Sequence, residues 1–309
     1  MLQQGNCVKR VLGSTSLSLE AKAGESHLIR SIKCKANSAD TYLVLRVDRK
    51  TVGVYRTYGR AGNHLGCIGD LEHALNLMDF LARKEVNVTI PIGEGQTFSI
   101  DSINAATEIV VTFDRYSAGD ITPAMPNGSE SKEYTFMQYM TASAALAATG
   151  DLLLDVSLSP SEFIDFPCGK VVPAKTTVRM LGLVGNTYSN GGSGADRSYT
   201  QFVKLVKDRE TLFDIDRSGI PFRGRYGGSG YTSYIPDFSL IGGVYQPVDY
   251  SFTPFDADIN IGEPLMFDPV LEFVSGEELL VKLNCNKGST RTLLPADIDL
   301  AAILHVKTA

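Results

Sequence analysis

Tryptophan is absent from this 309-residue chain, and histidine occurs four times. Without indole there is no flat face of the kind that stacks on sugar rings, which weakens the case for a carbohydrate cleft. His27, His64, His73 and His305 form neither a His-x-His nor a His-x-x-x-His pair, so a histidine-built metal centre is not expected. No apolar run approaches the ~18 residues that a membrane-spanning helix requires. The five cysteines, Cys7, Cys34, Cys67, Cys168 and Cys285, are odd in number and scattered. They suit reduced, buried small side chains rather than a disulfide framework or a redox pair. No Gly-x-Ser-x-Gly elbow and no cysteine with a catalytic signature appears. Met1 to Ser14 has no apolar stretch of the secretory kind, so folding in a cytoplasm is expected, and the N-x-S/T matches at Asn87 and Asn127 carry no meaning there. A net charge of −6 argues against wholesale nucleic-acid binding.

What is present is a loose internal repeat. Leu45, Asp48, Arg49, Thr51 and Val52 recur with the same spacing as Leu205, Asp208, Arg209, Thr211 and Leu212. A second echo aligns Val88, Ile90, Gly93, Glu94, Phe98 and Ile100 with Leu271, Phe273, Gly276, Glu277, Val281 and Leu283. The order is kept while the offset grows, so the second copy carries extra loop between the same two elements. The length allows two domains of about 120 to 180 residues, each able to bury its own core.

The texture is that of strands: short runs rich in Val, Ile, Leu, Thr, Tyr and Phe, separated by Gly, Pro, Asn and Asp. In the first half these are 42–47, 52–57, 86–92, 97–103 and 107–113. In the second they are 177–184, 199–206, 211–215, 265–274, 278–283 and 298–306. Such spacing predicts β-sandwiches rather than a parallel α/β sheet. Two segments read as helices. One starts at Asp70, with Leu71, Leu75, Met78, Leu81 and Ala82 on one face, and ends near Lys84. The other runs from Lys132 to Ala148, with Phe136, Tyr139, Met140, Ser143 and Ala147 on one side and Gly150 as terminator. The Pro-, Gly- and Asn-bearing stretch before it reads as a connector. The expected division is therefore a first domain over 1–122, a linker over 123–131 and a second domain over 132–309.

The extra length of the second copy lies in two Gly-rich loops, 185–198 and 223–234. Nine aromatics fall between Phe222 and Phe255. Tyrosine with glycine is adaptable contact chemistry, suited either to packing on the loop's own sandwich or to an interface. Asp214, Asp216, Ser218 and Gly219 start like a calcium loop, but Arg225 stands where a bidentate Glu is needed. Asp256, Asp258 and Asn260 have the same spacing, with Ile261 for the turn glycine and Phe267 for the closing carboxylate. Hydrogen-bonded turns are the default reading of both. Gly93 and Gly95 read as a tight turn between strands, not as a phosphate cradle. Paired carboxylates for glycoside hydrolysis cannot be singled out. No catalytic, cofactor-binding or metal-binding residue is nominated, no cofactor is expected, and the chain reads as a non-enzyme. Within the first 35 residues Lys9, Arg10, Lys22, Arg30, Lys33 and Lys35 face only Glu20 and Glu25. That is a solvated strand face, or an end turned toward anionic lipid or packaged nucleic acid.

Two tandem all-β domains of one plan, without a catalytic constellation and with longer loops in the second copy, resemble the double jelly-roll capsid proteins of adenovirus-like and membrane-containing icosahedral phages. The resemblance covers the whole chain, rests on architecture, and puts this chain at the small end of the lineage. It implies two eight-stranded jelly rolls side by side, with one or two short helices in the connections. It also implies homotrimers that mimic a hexagon and tile an icosahedral shell. The partners it implies are neighbouring capsid trimers, minor capsid and penton proteins, and an internal viral membrane met by the basic N-terminal segment, with no specific nucleic acid. The location is the virion, after synthesis in the host cytoplasm. The alternative is a phage spike or receptor-binding protein, or a carbohydrate-binding β-sandwich.

Overall fold

The structure is a computed structural model. It describes residues 1–13, 16–36, 41–57, 81, 84–86, 89–103, 106–121, 132–145, 150–157, 164–185, 198–213, 219–225, 240–241, 264–287 and 300–309. The protein is all-β, built from antiparallel sheets, and divides into two compact units. One comprises residues 1–137 and 305–309, the other 138–304. The expected linker at 123–131 and the expected helix from Asp70 lie outside the described residues, apart from Leu81, which is helical and buried, and a turn at 84–85.

The first unit holds β1 (Leu2–Leu12), β2 (Ser16–Glu20), β3 (Glu25–Ala36), β4 (Thr41–Val47), β5 (Lys50–Thr57), β6 (Ile90–Ile92), β7 (Thr97–Ile103) and β8 (Ala106–Ser117). They form two four-stranded sheets of order β1-β8-β3-β6 and β2-β7-β4-β5. The sequence dictates the faces by simple alternation. On β7, Phe98 and Ile100 are buried while Thr97, Ser99 and Asp101 are not. On β8, Ile109, Val111 and Phe113 point inward. With Leu17, Ile29, Ile32, Leu43 and Leu45 they make the core, and each such side chain contributes about 1.5–3 kcal/mol by leaving water.

The strands pair from the outside inward: β1 with β8, β2 with β7, β3 with β6 and β4 with β5. One long hairpin folded over on itself gives this pattern. The pairs β3–β8 and β4–β7 then knit the two sheets laterally.

The second unit repeats the scheme with interruptions. Its strands are β9 (Lys132–Thr141), β10 (Gly150–Leu153), β11 (Val156–Ser157), β12 (Cys168–Val171), β13 (Thr176–Gly185), β14 (Ser198–Lys207), β15 (Glu210–Leu212), β16 (Ile220–Arg225), β17 (Leu265–Phe273), β18 (Glu278–Lys287) and β19 (Leu300–Thr308). One sheet runs β10-β18-β14-β15, with β12 also on β18 and β16 also on β14; the other runs β11-β9-β19-β13-β17. The unit boundary falls inside β9 and β19, after Met137 and after Leu304.

The segment read from sequence as a helix over Lys132–Ala148 is instead strand β9, followed by bends at Ser143 and Ala144. From Phe136 to Met140 every side chain is buried. A strand covered on both faces has no alternation to display, so its apolar run also satisfied a helical stripe. The turn after it is held by Asp155, which accepts from the Ser143 amide at 2.8 Å and the Ser143 hydroxyl at 2.7 Å.

The repeat keeps its register between β4 and β7 and between β14 and β18, though not throughout: Leu45 lies opposite Gly53 across a bulge, whereas Leu205 lies opposite Leu212 without one. Leu45 lies opposite Ile100, and Leu205 opposite Val281; Val47 lies opposite Phe98, and Lys207 opposite Leu279. His27 faces Ile92 as Val178 faces Phe273. The Ala21 amide donates to Gln96 as Val172 does to Glu277, and Gly95 donates to Ala21 as Gly276 does to Val172. The first echo seen in the sequence is therefore a true correspondence of Asp48 with Asp208. The second is off by two residues, since Gly95 and Gln96, not Gly93 and Glu94, occupy the places of Gly276 and Glu277. A two-residue slip leaves every side chain on its own face, so the mismatched alignment still looked right.

Candidate functional site

The repeated turns are the most constructed polar features. Asp48 stands between β4 and β5 at φ 55°, and Asp208 between β14 and β15 at φ 50°. Aspartate tolerates this left-handed conformation better than most residues. In the first unit Asp48 reaches the start of β7, accepting from the Thr97 amide at 3.0 Å and from Gln96 Nε2 at 3.3 Å. Gln96 Oε1 in turn accepts from the Gly93 amide at 2.9 Å. In the second unit Glu277 plays the part of Gln96, accepting from the Val274 amide at 2.9 Å, and Lys207 donates to it at 3.1 Å. The Lys207 ammonium lies 4.8 Å from the centre of the Phe273 ring. The Val274 amide and Lys207 together hold the Glu277 carboxyl below its ordinary range. The chemistry at each turn is fastening of one hairpin to the next.

A second cluster joins Thr135 and Glu133 of β9 to His305 of β19. His305 Nδ1 lies 3.0 Å from Thr135 Oγ1, and its Nε2 lies 3.1 Å from Glu133 Oε1. A carboxylate only accepts, so the neutral ring carries its proton on Nε2 and Nδ1 accepts from the threonine hydroxyl; these partners assign the tautomer. Hydroxyl, imidazole and carboxylate meet in the order that nucleophilic catalysis uses. Glu133 and Thr135 are alternate residues of one strand, however, and the ring bridges them from its neighbour, which is the geometry of a register clamp. Sequence reasoning did not find this cluster, because no local spacing connects residue 135 to residue 305.

The basic start of the chain is strand β1, paired with β8 continuously from Cys7 to Leu12 and, across two register shifts, at Gln4 and Leu2. Arg10 pairs with Glu108, and Arg30 donates to Asp114 at 2.8 Å. Burial pushes the Asp114 carboxyl up, but the Asn6 amide and the Arg30 guanidinium outweigh it and hold the group below its ordinary value. Lys9, Lys22 and Lys33 are exposed and form no ion pair among the described residues. Leu2, Val8 and Leu12 are also exposed along this edge strand.

Cys7, half-buried, and Cys168, buried, are free thiols. Burial pushes the Cys168 thiol up to about 12, which makes it inert. The acidic runs at Asp214 and Asp256 lie outside the described residues. So do most of the two Gly-rich loops and the aromatics from Tyr226 to Phe255. Among the described residues no group of three His, Cys, Asp or Glu side chains is placed to hold a metal ion. No helix there is long and apolar enough to cross a membrane.

No family model matches the chain, and no curated protein matches it. Among solved structures it is similar to PNGase F, a glycosylasparaginase from Flavobacterium meningosepticum. The likeness covers 98% of this chain and 96% of that one, at 10% identity and a TM-score of 0.29. A similarity of that degree bears on neither fold nor activity.

Proposed function

We propose that the chain is a capsid protein built of two jelly rolls, which assembles as homotrimers into an icosahedral shell. The observation that carries this reading is the pairing order. In the first unit strand one meets eight, two meets seven, three meets six and four meets five, the arrangement a jelly roll requires. The second unit supports it by repeating the register at two hairpin turns and on both flanking sheets. Three chains then supply six similar units, so threefold association approximates a hexagon and can tile a facet without six identical subunits. Neighbouring trimers, with minor capsid and penton proteins at the special positions, complete the shell.

An internal membrane would be met by Lys9, Lys22 and Lys33, since Arg10 and Arg30 are engaged with Glu108 and Asp114. Each lysine near an anionic surface contributes about 1 kcal/mol. Because β1 is an integral strand, this role is tested by replacing the three lysines with glutamine and measuring binding to anionic vesicles, not by removing the segment. Unchanged binding refutes the membrane role.

Light scattering on the pure protein tests the assembly itself. A trimer of the 33.5 kDa chain, about 100 kDa, supports the reading, and shell-like particles at high concentration support it further. A protein that stays monomeric at high concentration overturns it. If the monomer binds a glycan or a host surface, the spike or carbohydrate-binding reading takes its place.

A further inference from the structure

His27 is a histidine where the repeat has a valine. It lies on β3 opposite Ile92 of β6, in the place that Val178 occupies opposite Phe273. Its side chain is 3% exposed, and its ring centre lies 4.9 Å from that of Phe113 on β8. Nε2 stands 3.5 Å from Glu25 Oε2, and Nδ1 has no hydrogen-bond partner among the described residues.

The charged groups acting on the ring are Glu25 on its own strand and Arg115 on β8, directly across the pair. Glu25 is already shared, because its other oxygen accepts from Arg115 at 3.3 Å, while Gln4 of β1 takes a second guanidinium nitrogen at 3.0 Å. Arg115 Nε is itself a buried donor without an acceptor among the described residues. A proton added to His27 would create a second such donor on Nδ1. It would also set two cations against one carboxylate beside a ring that is itself buried.

We propose that His27 makes the first unit acid-sensitive: protonating the ring loosens the β6–β3–β8 end of its core, a response the second unit lacks because valine stands in the same place. This goes beyond the capsid reading and does not rest on it. The direction follows from linkage. Burial, against the pull of Glu25, holds the imidazole below its ordinary 6.5, so the folded chain binds fewer protons than the unfolded one. Stability is then complete above about 6.5 and is lost as pH falls through the lowered folded value. The carboxylates held below their ordinary values titrate in a more acid window.

Hydrogen exchange on the full chain tests the idea. Between about pH 6.5 and pH 5.5, after correction for intrinsic exchange, the opening constant for β3, β6 and β8 amides should rise by up to about fivefold, the ceiling for one proton when the unfolded imidazole is already half neutral at 6.5. The β13 and β17 amides should show no such rise, and His27→Val should abolish it in the first unit. An equal rise in both units, or its survival in the variant, overturns the proposal. Should the variant fail to fold, an NMR titration of His27 in the unaltered protein decides: a midpoint below 6.5 supports the proposal, and one at or above it overturns the proposal.

Discussion

Asp48 and Thr97 bind each other twice: the Thr97 amide donates to Asp48 Oδ1 at 3.0 Å, and the Asp48 amide donates to the Thr97 carbonyl at 2.7 Å. The pair ties the β4–β5 turn to the first residue of β7, so two hairpins distant in sequence are fixed in one register. Replacing Asp48 with alanine removes the acceptor and leaves a residue ill suited to a positive φ. We expect a loss of about 1–3 kcal/mol in denaturant unfolding, with Asp48→Asn losing less than half as much. Equal losses for the two variants would mean that the carboxylate charge, not the acceptor, matters.

The equivalent turn in the second unit differs at one residue. Asp208 and Arg209 both have positive φ, at 50° and 72°, whereas in the first turn Asp48 alone does. Two left-handed residues suit a tight hairpin, but arginine bears a Cβ strain there that glycine escapes. Arg209→Gly should therefore be neutral or stabilising by up to about 1 kcal/mol, and Arg49→Gly destabilising by about 0.5–1 kcal/mol. Thermal melts of the two variants give the comparison; the same sign for both would contradict the turn geometry.

Below the range in which His27 titrates, acid should weaken the fold further in a window set by four carboxyls. The Ser143 hydroxyl and amide hold Asp155 down, and the Val274 amide and Lys207 hold Glu277 down. At Asp114 and Asp151 burial pushes upward, but Asn6 with Arg30, and Asn284 with Lys204, outweigh it. A carboxyl lowered in the folded state binds fewer protons there, so its stabilisation is present above the ordinary 3.8 or 4.5 and is lost as pH falls through the lowered value. Denaturant midpoints should fall as pH drops below about 4.5, and Glu277→Gln should flatten part of that slope. A variant with an unchanged profile would remove Glu277 from the account.

Gly182 sits where β13 and β17 slip in register. A Cβ placed on it would lie 2.2 Å from the Leu265 carbonyl oxygen and 3.1 Å from the Met266 Cα. Backbone cannot yield as a flexible side chain does, and glycine within a strand commonly marks such close approach. Gly182→Ala should cost about 3 kcal/mol or more and raise exchange selectively in β17 amides. A melt within a degree of the parent would show that the strands part freely.

Much of the fold is legible in the sequence. Alternation placed β4, β5, β7, β14 and β17 within about two residues of their observed bounds, and found the starts of β8 and β18 while stopping about four residues short of their ends, because one buried and one wet face imprint a period of two on the residues. It failed at β9, where Phe136 to Met140 are buried throughout and the alternation vanishes. It also passed over β1 and β3, whose mixture of polar and apolar residues reflects an exposed edge and irregular registers.

The sequence by itself determined that the chain is built of strands, that its plan occurs twice, and that Asp48 corresponds to Asp208. Each of these is written in neighbouring residues, where side-chain period and turn chemistry act locally. Only the tertiary structure decided that Gln96 matches Glu277, that His305 clamps Thr135 and Glu133, and that His27 is enclosed between Glu25, Arg115 and Phe113. Those relations join residues up to 172 positions apart. Pairing order, not local preference, brings them together, and a two-residue slip in register is invisible to a pattern whose period is two.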